Sequence, residues 1–335
     1  MRRILTILVI FILVLTSTGC SSKKAEKQPY SASFKCFDTV CTITVYDNIK
    51  QKDFDALLQY VKSKCQIFDD DFSKQKKDSF VAKLNKLKFY NIYEDYEKDI
   101  LNKSKKYSKD TNGAFDITVS PLVDLWDIKN KNAKVPSQKQ IDILLKLVDY
   151  NQVRIDKDTA LLDKNGSIDL GAIAKGYVTD LLVNSFKEIK VKSAIIDLGG
   201  NIYAYGKKNN HLFRTGIKKP FGDGKLSAVV KASNKAIITS GIYQRYKKID
   251  GKIYSHIIDP NTGRPVDNDL YSVTVISDNS TAADALSTGL MVMGLKNGMQ
   301  FANKNKDIEA IFIDKNNKLH LTKGLSIKDK VITIK

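Results

Sequence analysis

The spacing of apolar residues predicts a chain in which strands and helices alternate without an internal repeat. Apolar and polar residues alternate over Phe34–Asp47, which predicts a strand. An amphipathic helix should follow, because apolar residues recur at three- and four-residue intervals, at Phe54, Leu57, Leu58, Val61, Cys65 and Phe68. A second helix is predicted over Tyr96–Tyr107. Ser137 is expected to cap a third, with Ile141, Leu144 and Leu145 on its apolar face.

Between these helices, a polar break at Asp110–Gly113 precedes an apolar segment, Ala114–Trp126. The Lys- and Asn-rich stretch that follows, to Lys134, is typical of an exposed loop. The second half is richer in predicted strands, at Ser193–Leu198, Leu212–Ile217, Leu226–Lys231, Ala236–Ser240, Lys252–Ile258, Tyr271–Ser277, Ala310–Asp314, Lys318–Thr322 and Lys330–Ile334. Helices are predicted after Gly171 and after Ser280.

The predicted elements indicate one compact unit of the mixed α+β class. No Pro-rich or Gly/Ser-rich linker interrupts the chain after residue 33, so residues 34–335 are expected to form a single domain. A two-lobed arrangement is the alternative.

The N-terminus carries an apolar run, Ile4–Leu15, which is shorter than the about 20 residues of a permanent membrane-spanning helix. Two arginines precede it and small residues follow it, which predicts a secretory signal peptide over residues 1–19. Cys20 follows Gly19 as in the lipobox of bacterial lipoproteins. We therefore expect lipidation at Cys20, a flexible tether over residues 20–33, and a protein anchored at the extracytoplasmic face of the cell membrane. An ordinary secreted protein cleaved nearby is the alternative.

Composition supports a folded globular protein, with 42% hydrophobic and 27% charged residues among 335. The formal charge is +18, and removal of residues 1–19 lowers it to +16. The excess is almost all lysine scattered along the chain, which favours a solvated surface over a nucleic-acid site. The secretory signal is a second argument against a nucleic-acid partner.

The cysteines and histidines do not form a metal-binding pattern. Cys36, Cys41 and Cys65 are odd in number, and Cys41 and Cys65 fall on apolar faces, which predicts buried packing residues. The three histidines are widely separated, so zinc is not expected, and any metal should take oxygen ligands.

The first segment with candidate functional residues runs from Ser167 to Tyr177. A short strand is expected to end at Asp169, and a glycine turn then leads into a helix whose amides would face an anion. Lys175 adds a positive charge one turn in. The spacing differs from that of a phosphate-binding P-loop, and the alternative is an ordinary strand-to-helix turn.

Three further segments place glycines or polar side chains at strand ends. Asp197–Asn201 carries a glycine pair that favours close approach of the backbone to a ligand or to another strand. Thr239–Gly241 is followed by Tyr243 and Arg245. The segment His256–Pro265 ends a predicted strand in a tight turn.

The last segment opens the helix after Ser280. Asp284 and Thr288 are four residues apart and share one helix face. A carboxylate and a hydroxyl, completed by carbonyl and phosphate oxygens, form a common Mg²⁺ site. Taken alone, the segment is better explained by helix capping at Ser280.

Together these segments resemble the ApbE family of FAD:protein FMN transferases. The matching strings follow the family's order and cover most of the chain from Phe34. They are Phe115–Leu122 with Leu125 and Trp126, Asp169–Tyr177, Asp197–Asn201, Thr239–Gly241 with Tyr243 and Arg245, His256–Gly263, and Ala283–Gly289. The resemblance implies an ApbE-like α+β fold that is related to the T-fold.

The resemblance also implies which residues bind FAD and which bind Mg²⁺. FAD, as substrate, would contact Phe37, Phe115, Asp116, Ile117, Asp169, Lys175, Arg245 and Ile258. Mg²⁺ would be held by the carbonyl of Ala172, by Asp284 and Thr288, and by Ser287 close by. The family's Met-Gly-Thr appears here as Phe37-Asp38-Thr39, and Gln75 stands where the family has an aromatic residue after the serine.

The implied reaction is Mg²⁺-assisted transfer of FMN from FAD to a Thr or Ser hydroxyl of an extracytoplasmic flavoprotein, with release of AMP. Lys175 would stabilise charge, and His256 or Asp259 would accept the hydroxyl proton. Family acceptors carry a motif of the type Asp-Gly-Xaa-Thr/Ser-Gly-Ala-Thr/Ser. The alternatives are an FAD pyrophosphatase that releases FMN and AMP, and a non-catalytic flavin-binding lipoprotein.

Overall fold

The computed structural model describes residues 28–163 and 165–335. The predicted signal peptide, Cys20 and most of the predicted tether lie outside the described residues. The first strand begins at Tyr30, four residues before the expected start of the fold. Its serines are part of a sheet rather than a tether, because the Ser31 and Ser33 hydroxyls pair with those of Thr44 and Thr42 at 2.9 and 2.8 Å.

The described residues form seven α-helices and two short 3₁₀ turns. The helices are α1 Gln51–Asp71, α2 Phe80–Leu87, α3 Asp95–Asp110, α4 Ser120–Trp126, α5 Gln138–Leu145, α6 Ala174–Glu188 and α7 Ser280–Lys304. The 3₁₀ turns are Ile117–Val119 and Tyr150–Gln152. Helix α7 is interrupted at Gly294, whose φ of 73° lies outside the helical range. Ser137 caps α5 as expected, accepting a hydrogen bond from the amide of Gln140.

The strands belong to one large sheet and several smaller ones. They are β1 Tyr30–Cys36, β2 Thr39–Val45, β3 Phe89–Asn91, β4 Arg154–Asp156, β5 Thr159–Leu161, β6 Ser193–Leu198, β7 Asn201–Gly206, β8 Phe213–Lys218, β9 Leu226–Ala232, β10 Lys235–Gly241, β11 Tyr246–Ile249, β12 Lys252–Ser255, β13 Ile258–Asp259, β14 Arg264–Pro265, β15 Leu270–Ser277, β16 Ile308–Asp314, β17 Leu319–Leu321, β18 Leu325–Lys328 and β19 Val331–Ile334.

The large sheet has eight antiparallel strands in the order β1-β2-β6-β7-β10-β15-β16-β17. Helices α1, α6 and α7 cover one face, and the four-stranded sheet β18-β19-β9-β8 covers the other. Successive side chains therefore enter different cores: Ile238 and Val275 pack towards the helices, whereas Ile237 and Ile276 pack towards the smaller sheet. The expected α+β class is confirmed.

A third apolar cluster joins α4 and α5 to the hairpin of β13 and β14. Trp126 packs with Leu122, Ile141 and Ile258. Its indole Nε1 donates a hydrogen bond of 2.8 Å to the carbonyl of Gly263. This cluster fixes the segment before α4 next to the turn that follows His256.

Two local predictions were wrong. The strand predicted over Phe34–Asp47 is a hairpin, because Phe37 and Asp38 adopt left-handed φ values of 53° and 54° and reverse the chain. No strand ends at Asp169. The backbone there bonds instead to a side chain of α2: the Ile168 amide donates to Oδ1 of Asn85 at 2.7 Å, and Nδ2 of Asn85 donates to the Ile168 carbonyl at 2.9 Å.

The three cysteines of the described chain, Cys36, Cys41 and Cys65, are buried and free. This confirms the predicted packing role of Cys41 and Cys65, which are fully shielded from solvent. In residues 28–163 and 165–335, no helix is both long and apolar enough to cross a membrane.

Candidate active site

A cavity of about 1210 Å³ lies where the β1–β2 turn, the segment before α4, the start of α6 and the hairpins after β10 converge. Most of the predicted site residues line it. They are Phe37, Phe115, Asp116, Ile117, Asp169, Ala172, Lys175, Arg245, His256, Ile258, Asp284 and Thr288. Asp259 and Ser287 do not line this cavity. Segments far apart in the sequence are thus brought to one space.

The position of Asp284 depends on close packing between α6 and α7. Oδ2 of Asp284 accepts a hydrogen bond of 2.8 Å from the amide of Gly176. A Cβ at Gly176 would lie 2.4 Å from the Ser280 carbonyl oxygen and 2.6 Å from Cβ of Asp284. Only glycine allows the two helices to approach this closely.

The N-terminus of α7 is satisfied by side chains other than Ser280. Asn279 accepts a hydrogen bond from the amide of Ala282, and Asp180 of α6 accepts 2.8 Å bonds from the amides of Ser280 and Thr281. The Ser280 hydroxyl is buried without a partner in the described chain. Capping by Ser280, the simpler explanation of this segment, is therefore wrong.

Hydroxyl groups from β10 and α7 form a hydrogen-bonded cluster one helical turn along α7 from Asp284. Oγ of Ser240 lies 2.8 Å from Oγ of Ser287 and 3.2 Å from Oγ1 of Thr288. Ser287 is fully buried and donates to the Asp284 carbonyl at 2.9 Å, so its hydroxyl supports α7 behind the cavity wall. Ser240 lines the cavity but was not predicted as a site residue, although the Thr239–Gly241 string contains it.

The oxygen atoms at this site suit a hard cation that is coordinated partly by the protein and partly by phosphate oxygens of the substrate. Asp284 is buried, and its Oδ1 has no hydrogen-bond partner among the described residues. Thr288 and Ala172 line the same cavity. The described part of the chain contains no group of three or more His, Cys, Asp or Glu side chains placed to hold a metal. One carboxylate with neutral oxygens suits Mg²⁺ bound jointly by protein and phosphate.

Asp116 organises the segment that leads into α4. Its Oδ1 accepts hydrogen bonds from the amide and the hydroxyl of Thr118, at 2.8 and 2.7 Å. Burial raises the pKa of Asp116 to about 6, although the bonds from Thr118 oppose this shift. The capped turn positions Phe115 and Ile117 in the cavity wall.

Asp169 holds the turn before α6. Its amide donates to the carbonyl of Ile117 at 2.8 Å, and its Oδ1 accepts from the amide of Gly171 at 2.8 Å. Oδ2 forms an ion pair of 2.9 Å with Nζ of Lys74. Both carboxylate oxygens are therefore engaged within the protein. Lys74 was not predicted as a site residue, and only its place beside Ser73 connects it to the family's pattern.

His256 is half-buried beside Arg245. Its Nδ1 lies 3.0 Å from the carbonyl oxygen of Arg245, which can only accept, so Nδ1 carries the proton. Burial, with a smaller contribution from the positive charges of Arg245 and Lys175, lowers the pKa of His256 to about 4, although the hydrogen bond to the Arg245 carbonyl opposes this shift. The ring is therefore neutral at pH 7, and its Nε2 has a lone pair that can accept a proton.

Asp259 is placed differently from the prediction. Its Oδ1 accepts hydrogen bonds from the amide and Nδ2 of Asn261, at 2.8 and 3.1 Å, which shape the turn after β13. The residue lines a separate cavity of about 270 Å³. Of the two predicted proton acceptors, only His256 lies at the large cavity.

The β1–β2 turn closes one end of the cavity. The Phe37 amide donates to Oδ1 of Asp69 at 3.2 Å, and Asp38 forms a 2.8 Å ion pair with Lys129 from the loop after α4. Phe37 and Gln75 both line the cavity. The residues that replace the family's usual pattern thus still border the same space.

The chain is similar to known proteins over most of its length. A model of the ApbE family matches residues 37–312. An FAD:protein FMN transferase of Klebsiella pneumoniae (strain 342) is 37% identical over 65% of this chain and 69% of its own length. An FAD:protein FMN transferase of Treponema pallidum (strain Nichols) is 28% identical over 96% of this chain and 95% of its own.

The fold is shared as well. The crystal structure of the ApbE protein from Thermotoga maritima aligns with a TM-score of 0.81 at 28% identity, covering 88% of this chain and 97% of that one. This match over most of both chains confirms the predicted ApbE-like fold. The chain therefore belongs to the ApbE family, and the predicted FAD:protein FMN transferase activity is confirmed.

Proposed function

We propose that this transferase uses Mg²⁺ to move FMN from FAD to a Thr or Ser hydroxyl of an extracytoplasmic flavoprotein, with AMP as the leaving group. The observation that carries the proposal is the convergence of Asp284, Thr288, Lys175 and His256 on one cavity. An oxygen-donor cluster, a cation and a neutral imidazole are the groups that such a phosphoryl transfer needs.

The binding roles follow from the positions of these groups. Asp284, Thr288 and the carbonyl of Ala172 would hold the metal, and the hydrogen bond between Ser240 and Ser287 would hold α7 against β10. When bound, Mg²⁺ would neutralise the pyrophosphate of FAD and the charge that develops on AMP. Lys175, in the first turn of α6, would add charge stabilisation together with the positive end of the helix.

His256 is the proposed proton acceptor. The acceptor hydroxyl oxygen forms a bond to the phosphorus of FMN, its proton passes to Nε2 of His256, and the bond from that phosphorus to the AMP oxygen breaks. The Arg245 carbonyl keeps the proton on Nδ1, so Nε2 stays available. Asp259 has no part in this step, because its carboxylate is held in the turn after β13.

The partners and location are proposed from the sequence. Lipidation at Cys20 would place the enzyme at the outer face of the cell membrane, where flavoproteins with the Asp-Gly-Xaa-Thr/Ser-Gly-Ala-Thr/Ser type of motif would serve as acceptors. No nucleic-acid partner is proposed.

Nucleotide chromatography tests the metal and proton roles. The purified protein is incubated with FAD and an acceptor domain, with and without Mg²⁺, and the AMP formed is measured. We expect AMP only with Mg²⁺, and a large loss in His256→Gln but not in Asp259→Asn. Equal AMP formation with and without Mg²⁺ would show that the reaction does not require the metal. Intact FAD with no AMP would leave a flavin-binding protein, and free FMN with an unmodified acceptor would indicate a pyrophosphatase.

A further inference from the structure

Lys74 lies between α1 and α2, and its side chain lines the large cavity although only 11% of it is exposed. Its Nζ is 2.7 Å from Oδ1 of Asp124 and 2.9 Å from Oδ2 of Asp169. A third contact, of 3.3 Å, joins it to Oγ of Ser120. An ammonium group has three donors, so every donor of Lys74 is directed to a partner in the protein.

These contacts join three segments of the cavity wall. Ser120 and Asp124 are one turn apart on α4 and present their oxygens to the same ammonium group. Asp169 belongs to the turn that leads into α6. Lys74 is therefore the point at which the loop after α1, helix α4 and the start of α6 meet.

The second oxygen of Asp169 connects this junction to the proposed ligand groups. Oδ1 accepts the Gly171 amide at 2.8 Å, and Ala172 follows directly in the cavity wall. The Asp169 amide is bonded to the carbonyl of Ile117 on the other side. A shift of the Asp169 carboxylate would thus move both the turn with Ala172 and the segment with Ile117.

Charge gives Lys74 a second effect. Asp124 and Asp169 place two negative charges in the wall of a cavity whose substrate, FAD, carries an anionic pyrophosphate. Lys74 touches both carboxylates and compensates one of the two charges. Removing a partly buried cation leaves its carboxylate partners uncompensated, and both would then repel an anionic ligand.

We propose that Lys74 is a positioning residue for FAD, which holds the turn with Asp169 against α4 and screens the two carboxylates from the dinucleotide. The inference assigns no proton transfer to Lys74. It rests on the use of FAD as substrate, and it is independent of the proposed metal and proton acceptor.

FAD binding by the purified full-length protein tests this role. The dissociation constant is measured from flavin fluorescence, without Mg²⁺ or acceptor, for the wild type, Lys74→Met and Lys74→Arg. Loss of one charge contact in a partly shielded site should weaken binding by about tenfold in Lys74→Met. Lys74→Arg keeps the charge and should stay within about threefold of the wild type.

Two further variants separate this role from a general effect. Lys77 is exposed in the same segment, and Lys77→Met removes the same charge without lining the cavity, so its binding should be unchanged. Asp124→Asn, added to Lys74→Met, removes one of the two uncompensated negative charges and should recover about threefold in affinity. A purely structural defect predicts further loss in this double variant.

The inference is overturned if Lys74→Met binds FAD as the wild type does, if Lys77→Met loses as much affinity, or if the double variant recovers nothing. Circular dichroism of each variant checks folding, and Lys74→Gln, which also removes the charge, replaces Lys74→Met in the comparison if Lys74→Met does not fold. A wild type that binds no FAD would contradict the proposed function itself.

Discussion

At the scale of a single residue, the environment of His256 predicts how the rate of FMN transfer depends on pH. Burial lowers its pKa to about 4, so the ring stays neutral and able to accept a proton throughout pH 6–9. The rate of FMN transfer should therefore show no His256-linked inflection near pH 6.5, and should fall only as the pH approaches 4. His256→Gln should reduce the rate by about 10²–10⁴-fold, the usual contribution of a general base.

The measurement is the transfer rate across pH 5–9 for the wild type, His256→Gln and Asp259→Asn. Asn keeps an oxygen that can accept the amide of Asn261, so Asp259→Asn should behave as the wild type does. An inflection near pH 6.5 that disappears in His256→Gln would contradict the lowered pKa. Full activity of His256→Gln would remove the residue from the mechanism.

For Asp116, we predict that the buried carboxylate lowers the stability of the folded protein while it contributes to FAD binding. Its pKa is about 6 in the folded protein, above the ordinary value of 3.8, so the native state binds more protons than the unfolded state between about pH 4 and pH 6. Stability contributed by this group is therefore lost as the pH rises through that window. Asn accepts the same bonds from Thr118 without a buried charge.

Asp116→Asn should raise the free energy of unfolding at pH 8 by up to about 3 kcal/mol, with a smaller gain at pH 5. Urea unfolding at the two pH values measures this difference. Affinity for FAD should fall in the same variant, since Asp116 is a proposed contact. A gain of equal size at both pH values would show that the carboxylate is not the cause.

The sequence predicted some of the residues at the cavity and missed others. The four-residue spacing of Asp284 and Thr288 put both on one helix face, but only the family resemblance assigned them to a metal; the structure places both at the cavity. Lys74 could not be predicted, because its ion pairs join positions 50 and 95 residues apart and no local pattern marks them. Asp259 was misplaced for a related reason, since its side chain shapes the turn that the sequence indicated.

At the scale of elements, the contact between α6 and α7 sets the position of Asp284. Gly176→Ala places a methyl group 2.4 Å from the Ser280 carbonyl oxygen, so the helices must separate. Overpacking of this kind costs about 1–3 kcal/mol. Transfer activity should fall as well, because Asp284 moves with α7.

Asn184→Ala, on the exposed side of α6, is the matched control and should change the free energy of unfolding by less than about 0.5 kcal/mol. Urea unfolding of both variants gives the comparison. Unchanged stability and activity in Gly176→Ala would show that the two helices tolerate a wider spacing.

Elements were predictable where one face is buried. The stripe from Phe54 to Phe68 predicted α1, and the strand predicted over Ser193–Leu198 has the observed bounds of β6. The β1–β2 hairpin was not predictable, since a turn at Phe37-Asp38 lacks the glycine or asparagine that usually marks such turns. The strand predicted to end at Asp169 does not form, since the side chain of Asn85 in α2 takes both backbone hydrogen bonds of Ile168.

At the scale of the whole molecule, the N-terminal sequence predicts where the enzyme works. Replacing Cys20 by Ala should release the protein from the membrane fraction of its host cells, because the lipid attachment site is lost. Immunoblots of membrane and soluble fractions measure this change. Equal membrane association of the wild type and Cys20→Ala would contradict the lipid anchor and leave the ordinary secreted protein as the explanation.

The single α+β unit could be predicted from the absence of a linker and from the mixture of apolar periods. The order of strands in the large sheet could not, since β2 pairs with β6 across about 150 residues of intervening chain that form helices and the wall of the cavity. The cavity itself exists only once those segments are packed together.

The most direct test of the account is the mass of an acceptor domain after incubation with the purified protein, FAD and Mg²⁺. We predict an increase by one FMN ester, accompanied by AMP, and the loss of both in Asp284→Asn, whose amide oxygen can still accept the Gly176 amide but carries no charge for the metal. Full modification by Asp284→Asn would contradict the metal site, and an unmodified acceptor with FAD consumed would contradict transfer to protein.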